Sequence, residues 1–143
     1  MNSIDPTREQ FHAFKALPRD EPIQMLNLIR LNREAQYPED HPNHSKGMTG
    51  RAAYQEYGRT TAPIFREVGG RQVWAGRPDC VVTGPIDEKW DLAFIAEYPN
   101  AAAFLAMVTN PDYRECVKHR QAAVEDSRLV RMKPLTPGHG FGE

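Results

Sequence analysis

The chain has 143 residues, a formal net charge of −1 and a sequence pI near 6.5, which fits one domain whose single core needs no staples. Without a basic excess there is nothing to neutralise phosphates, so nucleic acid is excluded as a partner class. No apolar run approaches the roughly 20 residues that cross a bilayer, and Met1 to Arg8 lacks the basic-then-apolar pattern of a secretory signal, so a cytoplasmic protein with no membrane partner is expected. Cys80 and Cys116 form neither a disulfide framework nor a CxxC pair and read as ordinary reduced thiols.

Asp5 followed by Pro6 predicts a helix start, and Phe11, Phe14 and Leu17 continue it at helical spacing, giving a helix over about 6–17 that Pro18 and Pro22 stop. Ile23 to Asn32 is short, apolar and bounded by breakers, the pattern of a buried strand. Arg33 to Met48 is polar and carries Pro38 and Pro42; a loop with little to bury is expected there, and a mobile one. Thr49 is placed to cap a second helix whose inner face holds Tyr54, Tyr57, Thr61, Ile64, Phe65 and Val68. Pro63 should bend it, and Gly69 and Gly70 should end it.

Arg71 to Arg77 reads as a strand and Cys80 to Thr83 as a shorter one after Pro78. Trp90 to Tyr98 alternates, with Trp90, Leu92, Phe94, Ala96 and Tyr98 on one face and Asp91, Ala93, Ile95 and Glu97 on the other. Asn100 caps a helix to Val108, Asn110-Pro111-Asp112 restarts one to about Glu125, and Asp126 to Lys133 is the last strand. Residues 134–143 are expected as a flexible tail after a single domain spanning 1–133. After the first helix the order is β-α-β-β-α-β, which predicts an α+β, ferredoxin-like unit with helices on one side of an antiparallel sheet. The other sheet face, expected to bear the large apolar side chains from Trp90 to Tyr98, needs a cover, and a second copy of the chain is the economical one.

Several short motifs stand in a specific order: Leu26-Asn27-Leu28, Ala53-Tyr54, Gly69-Gly70, Trp90-Asp91, Tyr98-Pro99, Phe104-Leu105-Ala106-Met107, Asn110-Pro111-Asp112-Tyr113, His119-Arg120 and Glu125-Asp126-Ser127-Arg128-Leu129. Together they resemble the uncharacterised family catalogued as domain of unknown function 1330 (DUF1330), over roughly Gln24 to Arg131. The resemblance implies a dimeric α+β barrel in which two ferredoxin-like sheets face each other. Proteins with that barrel include cofactor-free oxygenases acting on polyketide-like aromatics, lactone isomerases and haem-degrading enzymes. The N-terminal helix and the long loop after Asn32 are additions to the minimal barrel unit.

Asn27 lies among Met25, Ile29 and Leu31 on one strand face, either satisfied by a neighbouring loop or strand edge or orienting a ligand. Arg30 shares the opposite face with Leu26 and Leu28. Arg120 interrupts the stripe Tyr113, Cys116, Val117 and Val124; either Glu97, Glu125 or Asp126 pairs with it, or it anchors a ligand carboxylate. Tyr54, Tyr57 and Trp74 complete the candidate ligand-binding set. Asp91 and His119 are the candidate acid–base groups, against readings as an exposed acidic turn and a solvated helix histidine.

His41 and His44 form an HxxH within the loop, but zinc needs two further ligands and none stands at a telling spacing, so no metal is expected. No Gly-rich phosphate loop after a strand, no GxSxG and no Cys-His pair at a family spacing is present, so no cofactor is expected either. Two functions follow: a small-molecule enzyme handling a hydrophobic acid or enolisable ring, as a cofactor-free oxygenase or isomerase, or a non-catalytic ligand-binding or stress-related dimer.

Overall fold

The computed structural model describes residues 2–142. Helix α1 (Arg8–Ala16) leads into strand β1 (Ile23–Leu31), helix α2 (Gly50–Glu67), strands β2 (Arg71–Gly76) and β3 (Leu92–Tyr98), helices α3 (Ala101–Val108) and α4 (Tyr113–Ala123), and strand β4 (Val124–Met132). The four strands form one antiparallel sheet in the order β2-β3-β1-β4, the ferredoxin-like arrangement. No helix among the described residues is long and apolar enough to cross a membrane.

Local chemistry sets most of the boundaries. Thr49 accepts the Ala52 amide and starts α2, and Asn100 accepts the Ala103 amide and starts α3. Gly69, at φ +86°, turns the chain out of α2, and Gly70 sits so close to Phe65 that a Cβ would fall 2.3 Å from its ring. The first helix starts later than the Asp5-Pro6 pattern suggests. Thr7 is its N-cap and forms a reciprocal capping box with Gln10, so those side chains satisfy the orphan amides instead. Helix α2 runs unbroken past Pro63. Helix α4 passes directly into β4, and its last carbonyls are taken by the chain leaving β1: Asn32 N donates to Ala123 O at 2.8 Å and Gln36 N to Ala122 O at 2.8 Å.

Three expectations are corrected. Residues 80–83 form no strand. Strand β3 begins at Leu92, and its face carrying Leu92, Phe94, Ala96 and Tyr98 turns toward the helices, opposite Ile29, Asn27, Met25 and Ile23 of β1. The uncovered face therefore belongs to Ala93, Ile95 and Glu97. The loop after Asn32 does have something to bury: Tyr37 is only 6% exposed, and Ala35 N donates to Met48 O, tying the loop's two ends together.

The helix side of the sheet carries two apolar clusters. One gathers Ile23, Met25, Ile64, Tyr98, Phe104 and Met107; the other gathers Ile29, Tyr37, Ala53, Ala122, Ala123 and Val124. On the open side, cross-strand register aligns one apolar residue from each strand in a single row, Trp74–Ile95–Leu26–Val130. Trp74 is 50% and Val130 46% exposed. One end of this face is polar, where Glu97 accepts from Gln24 and Arg71. The chain's N-terminal arm leaves the open face bare and follows β4 instead, with the Arg131 guanidinium over Phe14 and donating to Pro18 O at 2.6 Å.

Candidate functional site

Between the two apolar clusters runs a polar belt. On β1, Asn27 stands between Met25 of one cluster and Ile29 of the other, and all three are buried. On α4, Arg120 falls between Cys116 and Ala123 in the same way. Tyr57 packs on the first cluster, Tyr54 on the second, and Phe94 on both. Ser127, opposite Ile29 on β4, is buried at the same level.

Within the belt, the Tyr57 and Tyr113 hydroxyls share one hydrogen bond of 2.8 Å, and the rings of Tyr54 and Tyr57 lie 5.5 Å apart. One bond between two hydroxyls uses one proton and leaves the other available to a further acceptor. Burial pushes the hydroxyls of Tyr54, Tyr57 and Tyr113 above the usual phenol range, outweighing the opposing pull of the Arg120 charge on each. All three are neutral donors at physiological pH. The Asn27 amide nitrogen donates to Met25 O at 3.1 Å.

Arg120 is 9% exposed, yet the carboxylates expected to pair with it do not. Its guanidinium donates to the Ile4 carbonyl and to Ser127 Oγ at 3.3 Å. Its ion-pair carboxylate is Asp5, 3.8 Å away and half-exposed. Glu97 is held by Gln24 and Arg71 on the other side of the sheet. Glu125 and Asp126 face Arg30 at 3.7 and 3.8 Å, and Asp126 also accepts from Arg128 at 2.9 Å. The N-terminal segment supplies Arg120's acceptors because it crosses the α4–β4 junction: Ser127 Oγ donates to Ser3 O at 2.7 Å and Ser3 N to Asp126 at 2.8 Å.

The sequence candidates therefore divide. Asn27, Tyr54, Tyr57 and Arg120 come together on the helix side of the sheet. Arg30 and Trp74 lie on the open side, in alternation with Leu26 and opposite Ile95, and do not reach the belt. Asp91 ends the β1–β3 pairing, with its carboxylate accepting Leu31 N at 2.7 Å and its own amide donating to Ile29 O at 2.7 Å. That bond engages the carboxylate with backbone. His119, one residue before Arg120, turns toward the loop, and its Nδ1 lies 2.7 Å from the Tyr37 hydroxyl. Burial lowers the His119 pKa and raises that of Tyr37, so a neutral phenol meets a neutral imidazole. His41 stacks on Tyr37 at 4.6 Å and accepts the Asn43 amide, and His44 Nδ1 bonds Tyr37 O at 2.9 Å. The HxxH pair thus organises the loop around Tyr37. Tyr113 and Ser127 are the belt residues that sequence reasoning missed; Tyr113 begins the same helical stripe as Arg120, so its inward position was available from spacing.

The DUF1330 family pattern, described as a domain of unknown function, matches residues 44–132. The chain belongs to the DUF1330 family. A solved protein of unknown function from Rhodopseudomonas palustris is similar over 96% of this chain and all of its own, with 52% identity and a TM-score of 0.87. A second structure, of a methylated protein, matches with the same identity and a TM-score of 0.88. More distantly, an uncharacterised NIPSNAP-like domain protein from Burkholderia xenovorans shares the fold, with 16% identity over 86% of this chain and 93% of its own and a TM-score of 0.50. No curated protein matches the chain. As a DUF1330 member the chain carries its polar belt on elements inside the matched span, except for Asn27 on β1 and the acceptors at Ile4 and Asp5.

Proposed function

We propose that this protein is a cytoplasmic homodimer that binds a small hydrophobic or aromatic acid in the belt, with Arg120 as the anion anchor. The observation that carries the reading is the way Arg120 is paired: a buried guanidinium whose hydrogen bonds go to a backbone carbonyl and a serine hydroxyl, both neutral acceptors, and whose ion pair is long. A guanidinium presents a planar fork that matches a carboxylate through two parallel charge-assisted bonds. The tyrosine hydroxyls add neutral donors, and Phe94, Tyr54 and Tyr57 offer aromatic surface for the body of such a ligand.

Binding without catalysis is the better supported version. Proton transfer needs a base near the ligand, and the two acid–base candidates are engaged elsewhere, Asp91 by the Leu31 amide and His119 by Tyr37. The oxygenase or isomerase version remains coherent in one respect: a cation with hydroxyl donors is suited to stabilise an enolate oxygen.

The dimer is supported by the row Trp74–Ile95–Leu26–Val130, a contiguous apolar strip on the sheet face opposite the helices, with Trp74 and Val130 about half-exposed. Two such faces packed together bury on the order of 1,500 Å² and form a barrel.

Native mass spectrometry on protein from its own host is the first test. A retained organic acid, lost in Arg120→Met, is the expected result; a ligand held equally well by Arg120→Met overturns the assignment of the anchor. Light scattering tests assembly, and a monomer at micromolar concentration defeats the dimer.

A further inference from the structure

We propose that the segment Ser3–Asp5 is a built-in substitute ligand for Arg120, one that a carboxylate must displace, so that the N-terminal arm regulates access to the belt. The inference rests on the reading of Arg120 as an anion site and adds how that site is kept closed.

The segment makes an unusual set of contacts for so short a stretch. The Ile4 carbonyl takes an Arg120 N–H, the Asp5 carboxylate lies 3.8 Å from the same guanidinium and accepts from Gln121 Nε2 at 3.2 Å, and Ser3 bonds both Asp126 and Ser127. Ile4 packs its side chain against the apolar cluster of Ile29, Ala53 and Val124. A carbonyl oxygen and a nearby carboxylate thus stand on the cation, beside an apolar group. A small hydrophobic acid would offer the same three features.

The substitute is an imperfect one. A backbone carbonyl is a neutral acceptor, weaker than a carboxylate placed squarely on the fork. Asp5 is half-exposed and at long range, where an ion pair contributes little. The helix that follows is held chiefly by Phe14, and none of its residues is fully buried. Each contact is thus exchangeable for a better one, while together they cover the guanidinium when no ligand is bound.

If ligand binding requires the segment to leave, the apparent affinity equals the intrinsic affinity scaled by the open fraction, and loosening the segment tightens binding. Asp5→Asn keeps the shape and the contact with Gln121 while removing the charge. Its effect is about fivefold at most, the value of an exposed ion pair. Adding Ile4→Ala removes the apolar anchor and should bring the total to about tenfold or more.

The test uses the full chain, with benzoate as probe and benzamide as the uncharged control, by titration calorimetry and by hydrogen exchange. Support consists of benzoate binding that tightens from wild type to Asp5→Asn to Ile4→Ala/Asp5→Asn, is absent in Arg120→Met, and is accompanied by faster amide exchange at residues 3–5. Equal benzoate affinity in wild type and both variants, with no change in exchange at 3–5, overturns the substitute-ligand inference and leaves Arg120 standing as the anchor. Binding that survives Arg120→Met in the Ile4→Ala/Asp5→Asn background, or no benzoate binding by any variant, overturns the anchor and the inference with it. Circular dichroism spectra matching wild type establish that each variant is folded before it is titrated.

Discussion

On the helix side of the sheet, Ile23, Met25 and Ile29 are almost completely enclosed, and the polar belt between the apolar clusters finds its partners inside the chain. On the opposite side, the same strands display Trp74, Ile95, Leu26 and Val130 in one row, with Trp74 and Val130 about half-exposed. The first face stabilises the monomer, and the second has surface to contribute only when another molecule meets it. Alternation along β1 assigns neighbouring residues to these two tasks, so adjacent positions should respond to substitution in opposite ways.

The largest effect is expected at Ile29, which is fully buried. Ile29→Ala should lower the unfolding free energy by about 2–5 kcal/mol, read from chemical denaturation, because the cavity cannot be refilled from a packed cluster. Ile95→Arg, one strand away but on the open face, should leave the isolated chain folded and break the proposed dimer, shifting the mass in light scattering from twice 16.3 kDa to 16.3 kDa. A dimer that persists with Arg at this central position would remove the distinction between the faces.

Within the belt the effects are smaller. Tyr57→Phe deletes one side of the 2.8 Å bond with Tyr113 and should cost about 1 kcal/mol in thermal or chemical unfolding. The smallest effect is a pH dependence at the docked loop. Burial holds the His119 pKa below its unfolded value, so the unfolded chain binds the proton more readily. The associated stability is present above about pH 6.5 and is lost as pH falls from there through the folded value. Once protonated, His119 can only donate at Nδ1 toward the Tyr37 hydroxyl. Protection factors of the amides of residues 35–44, corrected for the intrinsic pH dependence of exchange, should fall below about pH 6.5, and His119→Gln should flatten that response. On this partly exposed ring the change is expected to stay under about 1 kcal/mol.

What could be read from the sequence was local. Thr49, Asn100 and Gly69 mark helix ends because a cap or a left-handed turn is decided within a few residues. Arg120 stood out because helical spacing alone places it in an apolar stripe. Its acceptor at Ile4 lies 116 residues away in sequence, so no local pattern could reveal it. Tyr37 was hidden for the same reason: its bond to His119 spans 82 residues, and the polar, proline-containing loop around it gave no sign of burial. Strand β3 carries apolar residues on both faces, so composition identified the strand but gave no sound basis for placing its larger side chains on the open face, where they do not lie. The Thr7-to-Gln10 box was legible in principle, but Asp5-Pro6 is an equally good start signal by composition.

Strand β2 lies at one edge of the sheet, and its register with β3 shifts between Gln72 and Trp74, with Val73 as the extra residue. A bulge there interrupts the even ladder of free amide and carbonyl groups that an incoming strand would need, and increases the local twist. The opposite edge, β4, is flanked by the N-terminal arm through Phe14 and Pro18. Growth of the sheet sideways, strand upon strand, is therefore discouraged at both ends. In the proposed dimer, association uses the broad apolar face instead, where pairing two copies would consume the apolar surface of each. The bulge at Val73 thus favours a closed pair over an open-ended polymer, and so guards against fibril formation in a protein that exposes this much apolar sheet.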